Sequence, residues 1–282
     1  MDGLARNLVT HLTRQQYFTS WDHASGSSGG ALPVKLGILV PDKPSWIPVV
    51  KNVLLPELKA AGHPVAPENV RFWHFPESAA GNSQAVTEIQ AIVLRFRSDN
   101  VTHVLPMEQN SLAFFTPAAE GQGYRPRYGL TTATAAQGYA GSLVPYRQLH
   151  GAVGVGWFPT LDLPESKQTA AYSGPGRQPC LDTMARSDVS YGSTNAKAIA
   201  LLLCDAFYAF DAAIESLPKG GAVSAATFMP ALEGTGGRFQ AATLPTGGFR
   251  PGRRYPVTEG YPWAFSTSCQ CMEYTGPRAP LR

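Results

Sequence analysis

Short apolar runs alternate along the first half of the chain with longer stretches in which apolar residues recur at helical spacing. The apolar runs predict buried strands at VKLGILVP (34–41), NVRFWHF (69–75), VTHVLPM (101–107), RYGLTTA (127–133) and GAVGVGW (151–157). The intervening stretches predict helices over residues 43–62, 82–100 and 110–124. This alternation indicates an α/β fold, with a parallel sheet covered by helices on both faces.

The pattern changes after Trp157. Residues 158–195 are rich in Pro, Ser, Gly and polar residues. Residues 193–217 then predict the longest helix, and 222–236 a shorter one. The apolar face of the long helix comprises Ala196, Ile199, Leu202, Cys204, Phe207, Phe210 and Ile214. Two final strands are predicted at residues 261–268 and 270–276.

Composition narrows the function classes. The chain has 282 residues, which suits one large domain or two modest ones. Charged residues make up 15% of the chain, which excludes a disordered polyelectrolyte and a coiled coil. The net charge of +3 is too small to indicate a nucleic acid or an anionic membrane as partner. No apolar run reaches the ~18 residues of a transmembrane helix.

The N-terminal region predicts an amphipathic helix over residues 4–18 and a small-residue linker at 24–32. The opening residues lack the apolar stretch and cleavage site of a secretory signal. The chain as written is therefore not visibly exported.

The four cysteines are Cys180, Cys204, Cys269 and Cys271. They allow two disulfides in three pairings, and free thiols or a zinc site are alternatives. Cys269 and Cys271 are too close in sequence for the usual zinc pattern. We favour at least one disulfide, Cys180–Cys204, which would stabilise the fold by about 3 kcal/mol. Disulfides indicate an oxidising compartment, which conflicts with the missing signal.

Catalytic motifs are not recognisable. The glycines at 154 and 156 lack the third glycine of a dinucleotide fingerprint, there is no Walker loop, and GSSGG (26–30) lacks the setting of a nucleophile elbow. His74 and His103 fall inside predicted strands, and we expect hydrogen-bonded sheet histidines there rather than catalytic bases. The sequence thus predicts no enzyme activity, no cofactor and no metal.

Polar residues follow the predicted strands at one edge of the sheet, where open α/β folds bind ligands. They are Asp42, Ser45, Trp46, Glu108, Gln109, Asn110, Thr132 and Ala133. This row suits a small polar ligand whose anionic parts lie near helix N-termini, with Trp46 as an aromatic wall. The alternative is that Asp42, Asn110 and Thr132 are only helix N-caps.

Three segments in this order resemble one family: VKLGILVPDKPSW, VTHVLPMEQNSLAFFTPAAEGQGYRPRYGL and NAKAIALLLCDAFYAFDAAIE. They are similar to type 1 periplasmic binding proteins of the leucine/isoleucine/valine-binding type, the substrate-binding subunits of ABC transporters. QGYRPRYGLTT is the most specific part, and CQCMEYTGP resembles a disulfide-bearing branch. The resemblance is good over residues 5–157, looser over 190–276 and poor over 158–189.

The resemblance implies two α/β lobes that close on a ligand. Residues 1–150 would form a complete second lobe, with 256–282 returning to it, and 158–255 would form an incomplete first lobe in an N-terminally truncated chain. The long helix would then lack its covering sheet. We expect an exposed apolar patch near Ile199, Phe207 and Phe210, or self-association through it.

The implied function is solute binding, for an amino acid or another small polar ligand, in an extracytoplasmic compartment and with an ABC transporter permease as partner. The family's ligand loops match Ser45 and Trp46, Glu108 and Gln109, and Thr132 and Ala133. Binding would be weakened if the first lobe is incomplete. A ligand-sensing module of the same fold is the alternative, followed by a doubly wound enzyme. The identity of the solute stays open.

Overall fold

The computed structural model describes residues 2–24, 32–76, 81–220, 222–236, 239–244, 247–252 and 255–281. Most of the predicted linker at 24–32 lies outside these residues. The chain forms two compact units. Unit 1 comprises residues 1–156 and 261–277, and unit 2 comprises residues 157–260 and 278–281. That these units correspond to the second and first lobes of the resembling family stays a prediction.

The sheet of unit 1 contains five parallel strands followed by an antiparallel hairpin. The strands are β1 (Leu36–Pro41), β2 (Val70–Trp73), β3 (His103–Pro106), β4 (Arg127–Thr131), β5 (Val153–Gly156), β6 (Glu259–Ser266) and β7 (Cys271–Tyr274). Their order across the sheet is β2-β1-β3-β4-β5-β6-β7. Strands β1 to β5 pair in parallel, whereas β6 pairs antiparallel with both β5 and β7.

Helices precede and connect the parallel strands of unit 1. They are α1 (Asp2–Arg14), α2 (Ile47–Val49), α3 (Leu55–Ala60), α4 (Asn82–Ser98), α5 (Gln109–Gly121), α6 (Ala136–Tyr139) and α7 (Tyr146–Leu149). A π-helical segment, Val50–Leu54, joins α2 to α3. Pro56 is the second residue after it. Because proline has no N–H to donate to the preceding turn, the helix widens there rather than remaining regular.

Apolar side chains of the sheet face both sides. Leu36, Ile38 and Val40 of β1 join a buried cluster with α1 and the segment from α2 to α3, whereas Leu39 joins a second cluster with α4, α5 and α7. This division follows from the alternation of side chains along a strand. The predicted α/β class, with helices on both faces of a mainly parallel sheet, is therefore confirmed.

Unit 2 is mainly helical in its described residues. It contains α8 (Pro159–Asp162), α9 (Arg177–Arg186), α10 (Thr194–Glu215), α11 (Ala225–Glu233) and the two-residue strand β8 (Ala279–Pro280), which pairs with the start of β6. Helix α9 lies in the stretch 158–195, to which the sequence pattern assigned no helix. A disulfide between Cys180 on α9 and Cys204 on α10 holds these two helices together.

Both cysteine pairs form disulfides, as expected for Cys180–Cys204. Cys269 bonds Cys271 across the turn between β6 and β7. Among the described residues there is no group of three or more His, Cys, Asp or Glu side chains that could hold a metal ion. Within that same part of the chain, every helix is too short or too polar to cross a membrane.

Candidate ligand-binding edge of the sheet

The carboxyl ends of β2, β1, β3 and β4 lie side by side at one edge of the sheet. These four strands are parallel neighbours, with Pro41 opposite Trp73 and Leu39 opposite Pro106. The loops that follow them therefore meet at the same edge. Asp42, which follows β1, and Gln109, in the loop region after β3, are exposed at this edge, whereas Thr131 and Thr132 at the end of β4 are buried.

Asp42 follows β1 and lies beside His74, which follows β2. The backbone N–H of Asp42 donates to the Trp73 carbonyl at 2.9 Å, and the Asp42 carboxylate lies 3.2 Å from His74 Nδ1. Both side chains are largely exposed. The ammonium of Lys43 lies 3.7 Å from the centre of the Phe75 ring. A carboxylate, an imidazole and an ammonium thus surround the ends of two strands.

His74 corrects a sequence-based expectation. It was expected inside a strand as a buried hydrogen-bonded histidine, but β2 ends at Trp73 and the His74 side chain is exposed. Its backbone N–H donates to the Glu88 carboxylate at 2.9 Å. The error came from extending the strand two residues too far, and a shorter strand would have placed His74 in the candidate row.

Ser45 and Trp46 have different environments. Ser45 is exposed, whereas Trp46 retains 6% of its surface and packs in the hydrophobic cluster with Val49 and Val50. The ring of Trp46 is therefore mainly a core residue that fixes the loop after β1. Little of it remains available as the expected aromatic wall.

Glu108 organises the loop between β3 and α5. Its carboxylate accepts hydrogen bonds from the backbone N–H groups of Asn110 (2.9 Å) and Ser111 (2.6 Å), and from the side chains of the same two residues. Glu108 is thus the N-cap of α5, the role considered for Asn110. Gln109 is exposed, and Asn110 is half-buried.

A buried hydrogen bond joins this loop to β2. The indole N–H of Trp73 donates to the Ser111 hydroxyl at 2.9 Å, and that hydroxyl donates to Glu108 at 3.0 Å. The Trp73 ring also packs against Phe75 and Phe114, with centroids 5.7 and 5.5 Å away. The loops after β2 and β3 are consequently held in a fixed relation, which reduces the ordering cost of binding.

The loop after β4 is also capped internally. The Thr131 hydroxyl accepts from the Ala133 N–H at 3.2 Å, so Thr131 and not Thr132 is the cap of the short 3-10 helix Thr132–Thr134. Thr132 is buried and Ala133 half-buried. Ala135 then adopts a left-handed conformation, with φ 46°, that turns the chain toward α6.

The other histidine considered as a base lies away from this edge. His103 is the first residue of β3, is fully buried, and contacts the Thr102 hydroxyl through Nδ1 at 2.8 Å. Burial, followed by the charge of Arg127, lowers its pKa from 6.5 to about 4. The expectation of a hydrogen-bonded sheet histidine is confirmed for His103.

No protein-family model and no curated protein sequence matches the chain. Solved structures do match it. A branched-chain amino acid ABC transporter protein from Thermus thermophilus with bound valine is 12% identical, with a TM-score of 0.60 over 98% of this chain and 65% of that one. An extracellular ligand-binding receptor from Verminephrobacter eiseniae is 12% identical, with a TM-score of 0.58 over 96% of this chain and 65% of that one.

A third similar structure is a solute-binding protein of an ABC transporter from Rhodopseudomonas palustris HaA2 in complex with p-hydroxybenzoic acid. It is 13% identical, with a TM-score of 0.58 over 99% of this chain and 66% of that one. The chain thus spans about two thirds of the length of these structures. At such low identity the likeness shows the fold: it is that of the type 1 periplasmic binding proteins, as predicted. These three structures are named as transport or ligand-binding proteins and not as enzymes.

Proposed function

We propose that this chain is a non-catalytic solute-binding protein that holds a small polar ligand at the carboxyl edge of the unit 1 sheet. The observation that carries the proposal is that the loops after β1, β3 and β4 share that edge, because those strands are parallel neighbours. Solved proteins of the same fold that are named as solute-binding or ligand-binding proteins support it.

The residues proposed to contact the ligand are Asp42, Ser45, Gln109, Asn110, Thr132 and Ala133, whereas Glu108 and Trp46 hold the loops in position. The cap at α5 revises the expected ligand chemistry. Because the Glu108 carboxylate already occupies the N–H groups of Asn110 and Ser111, this helix start no longer suits an anion. With Asp42 nearby along the edge, the loops favour an ammonium or amide N–H of the ligand. Free amino acids and small amides carry such groups.

The proposal includes an extracytoplasmic location and an ABC transporter permease as partner. Both cysteine pairs are disulfide-bonded, and disulfides persist in oxidising compartments. The Thermus thermophilus and Rhodopseudomonas palustris proteins are named as ABC transporter components. A permease gene next to the gene of this chain would support the proposed partner. Disulfides that remain oxidised in the protein isolated from intact cells would support the proposed location.

Titration calorimetry of the full chain with L-amino acids, small amides and 4-hydroxybenzoate tests ligand binding. We expect one amino acid or amide to bind, and Gln109→Ala and Asp42→Asn to weaken that binding at least about 10-fold. The first change removes a hydrogen-bonding amide and the second removes the negative charge that strengthens a hydrogen bond, each worth ~1.4 kcal/mol or more.

Gln90→Ala is the matched control, because Gln90 is also exposed but lies on α4 away from the edge. It should bind with unchanged affinity. Equal affinity for wild type, Gln109→Ala and Asp42→Asn would place the site elsewhere. No heat of binding with any compound would contradict solute binding of these classes by this chain.

A further inference from the structure

Unit 2 contains a cavity that includes no residue of the proposed ligand-binding edge. The cavity measures about 370 Å³ and is lined by residues 236, 247–250, 258, 259 and 278. All of these residues belong to unit 2. The volume lies within the roughly 300–1,000 Å³ of sites that bind small molecules. The cavity is therefore large enough to hold a small organic ligand.

Backbone contacts hold one wall of the cavity in place. Gly236 and Phe249 form an isolated antiparallel bridge, and the N–H of Gly248 donates to the Pro256 carbonyl at 3.0 Å. A Cβ atom at Gly248 would lie 2.8 Å from the Gly236 carbonyl oxygen, so these segments approach as closely as glycine allows. Phe249 is only 6% exposed and anchors the segment in an apolar cluster. The backbone that carries Arg250 is thereby fixed.

The pairing of β6 with β8 holds a second wall. Glu259 lies opposite Pro280, and the N–H of Leu281 donates to the Thr258 carbonyl at 2.9 Å. Arg278 immediately precedes β8, and its guanidinium lies 3.3 Å from the Glu259 carboxylate. The polar groups of this wall are thus positioned by the strand pair and by an ion pair, which reduces the ordering cost of binding.

The charges that line the cavity favour an anion. Two guanidinium groups, Arg250 and Arg278, and one carboxylate, Glu259, give the lining a formal charge of +1. Arg278 is paired with Glu259, whereas Arg250 has no acidic partner among the residues that the structure describes. One guanidinium is therefore available to a ligand, and a doubly charged anion would be disfavoured by Glu259.

We propose that this cavity is a second ligand site, which binds a small molecule with a single carboxylate. The guanidinium of Arg250 presents parallel N–H groups that match the two oxygens of a carboxylate. The Thr258 hydroxyl, which also lines the cavity, is a further donor. One negative charge on the ligand balances the charge of the lining. The site is distinct from the edge of unit 1, whose loops favour an ammonium or amide N–H.

Ligand-observed NMR titration of the full chain tests this site. The probes are propionate, lactate and hexanoate, which carry one carboxylate and no amino group, and inorganic phosphate at the same ionic strength. We expect saturable binding of at least one monocarboxylate. Arg250→Ala should weaken it at least about 10-fold, and Arg250→Lys should weaken it less, because lysine keeps the charge but loses the planar pair of donors. Arg250 is exposed, so both variants should fold, as circular dichroism will show.

Arg186→Ala is the matched control, because Arg186 is an exposed arginine on α9 of the same unit and does not line the cavity. It should leave the affinity unchanged, and so should Asp42→Asn at the edge of unit 1. Equal affinity of Arg250→Ala and Arg186→Ala, or a loss caused by Asp42→Asn, would overturn the assignment to this cavity. Binding of phosphate without any monocarboxylate would overturn the ligand class. Absence of binding by all four probes would overturn the site itself, whatever the result with amino acids and amides.

Discussion

Single buried polar side chains hold unit 1 together at the edge opposite the candidate site. Gln148 is 1% exposed, and its amide N–H groups donate to Glu120 (2.8 Å) and to the Tyr124 carbonyl (3.0 Å). Its carbonyl accepts from the fully buried Tyr128 hydroxyl at 2.7 Å. Glu120 is also paired with Arg125 at 2.7 Å, and this hydrogen bond is the main reason that the pKa of Glu120 lies below its usual value.

Gln148→Leu should destabilise unit 1 by about 2–3 kcal/mol, because the Tyr128 hydroxyl is left buried without its acceptor. Urea unfolding followed by tryptophan fluorescence measures this loss. Adding Tyr128→Phe should recover part of it, since the orphaned hydroxyl is removed. Gln90→Leu on the exposed face of α4 should change stability by less than about 0.5 kcal/mol. A double variant whose loss of stability equals the sum of the losses of Gln148→Leu and Tyr128→Phe measured singly would contradict the coupling.

Two buried histidines predict a pH dependence. Burial lowers the pKa of His11 and His103 from 6.5 to about 4. Both imidazoles therefore bind protons less tightly in the folded protein than in the unfolded chain. The free energy of unfolding has its full value above pH 6.5 and falls as the pH decreases toward 4. Within that window, each histidine lowers the free energy of unfolding by up to ~1.4 kcal/mol per pH unit. Unfolding at pH 7.5 and 5.5 should differ by about 2–3 kcal/mol, and His103→Gln should remove roughly half of the difference. A flat profile would contradict the burial of both rings.

At the scale of elements, long periodic segments were well predicted and short or covalently constrained ones were not. Helices α4, α5 and α10 and strands β1 and β3 to β5 lie where the apolar pattern placed them, because their own buried faces select the period. Helix α9 was missed: its described residues include a single buried apolar position, Cys180, and its attachment is the disulfide to α10. The spacing of apolar residues cannot predict such a helix.

The two disulfides should differ in their effect on stability. Cys180→Ser with Cys204→Ser opens a link with a sequence separation of 24, and unit 2 should lose about 3 kcal/mol. Cys269→Ser with Cys271→Ser opens a link with a separation of 2, and less than ~1 kcal/mol should be lost, because so short a loop restricts the unfolded chain little. Thermal unfolding of both double variants measures this. Equal losses would show that the difference in loop length does not govern stability here.

At the scale of the molecule, the two units should respond to different conditions. Each unit has its own hydrophobic clusters. All six histidines lie within residues 1–156 of unit 1. In unit 2, burial raises the pKa of Asp205. Protonation of this carboxyl in mild acid therefore does not lower the stability of unit 2. Calorimetry should show that lowering the pH from 7.5 to 5.5 lowers the unit 1 transition, whereas a reducing agent mainly lowers that of unit 2. One transition that responds to both would contradict separate units.

The candidate site was predictable as a place but not in its details. The alternation of strands and helices implied parallel strands whose carboxyl ends share one edge, so the row of loops could be located from sequence. The hydrogen bonds within each loop could not, because Glu108 and Asn110 are both acceptable N-caps and the choice depends on where α5 begins. The contact between Asp42 and His74 depends on pairing between β1 and β2, which are far apart in sequence.

The sequence by itself determined the α/β class, the strands and longer helices, and the broad apolar face of α10, because each of these follows from the local spacing of apolar residues. Only the tertiary structure decided which residue caps each loop, that His74 stands beside Asp42, and that Trp46 belongs to the core. Those features depend on contacts between segments that are distant in sequence, and the local spacing of apolar residues does not predict such contacts.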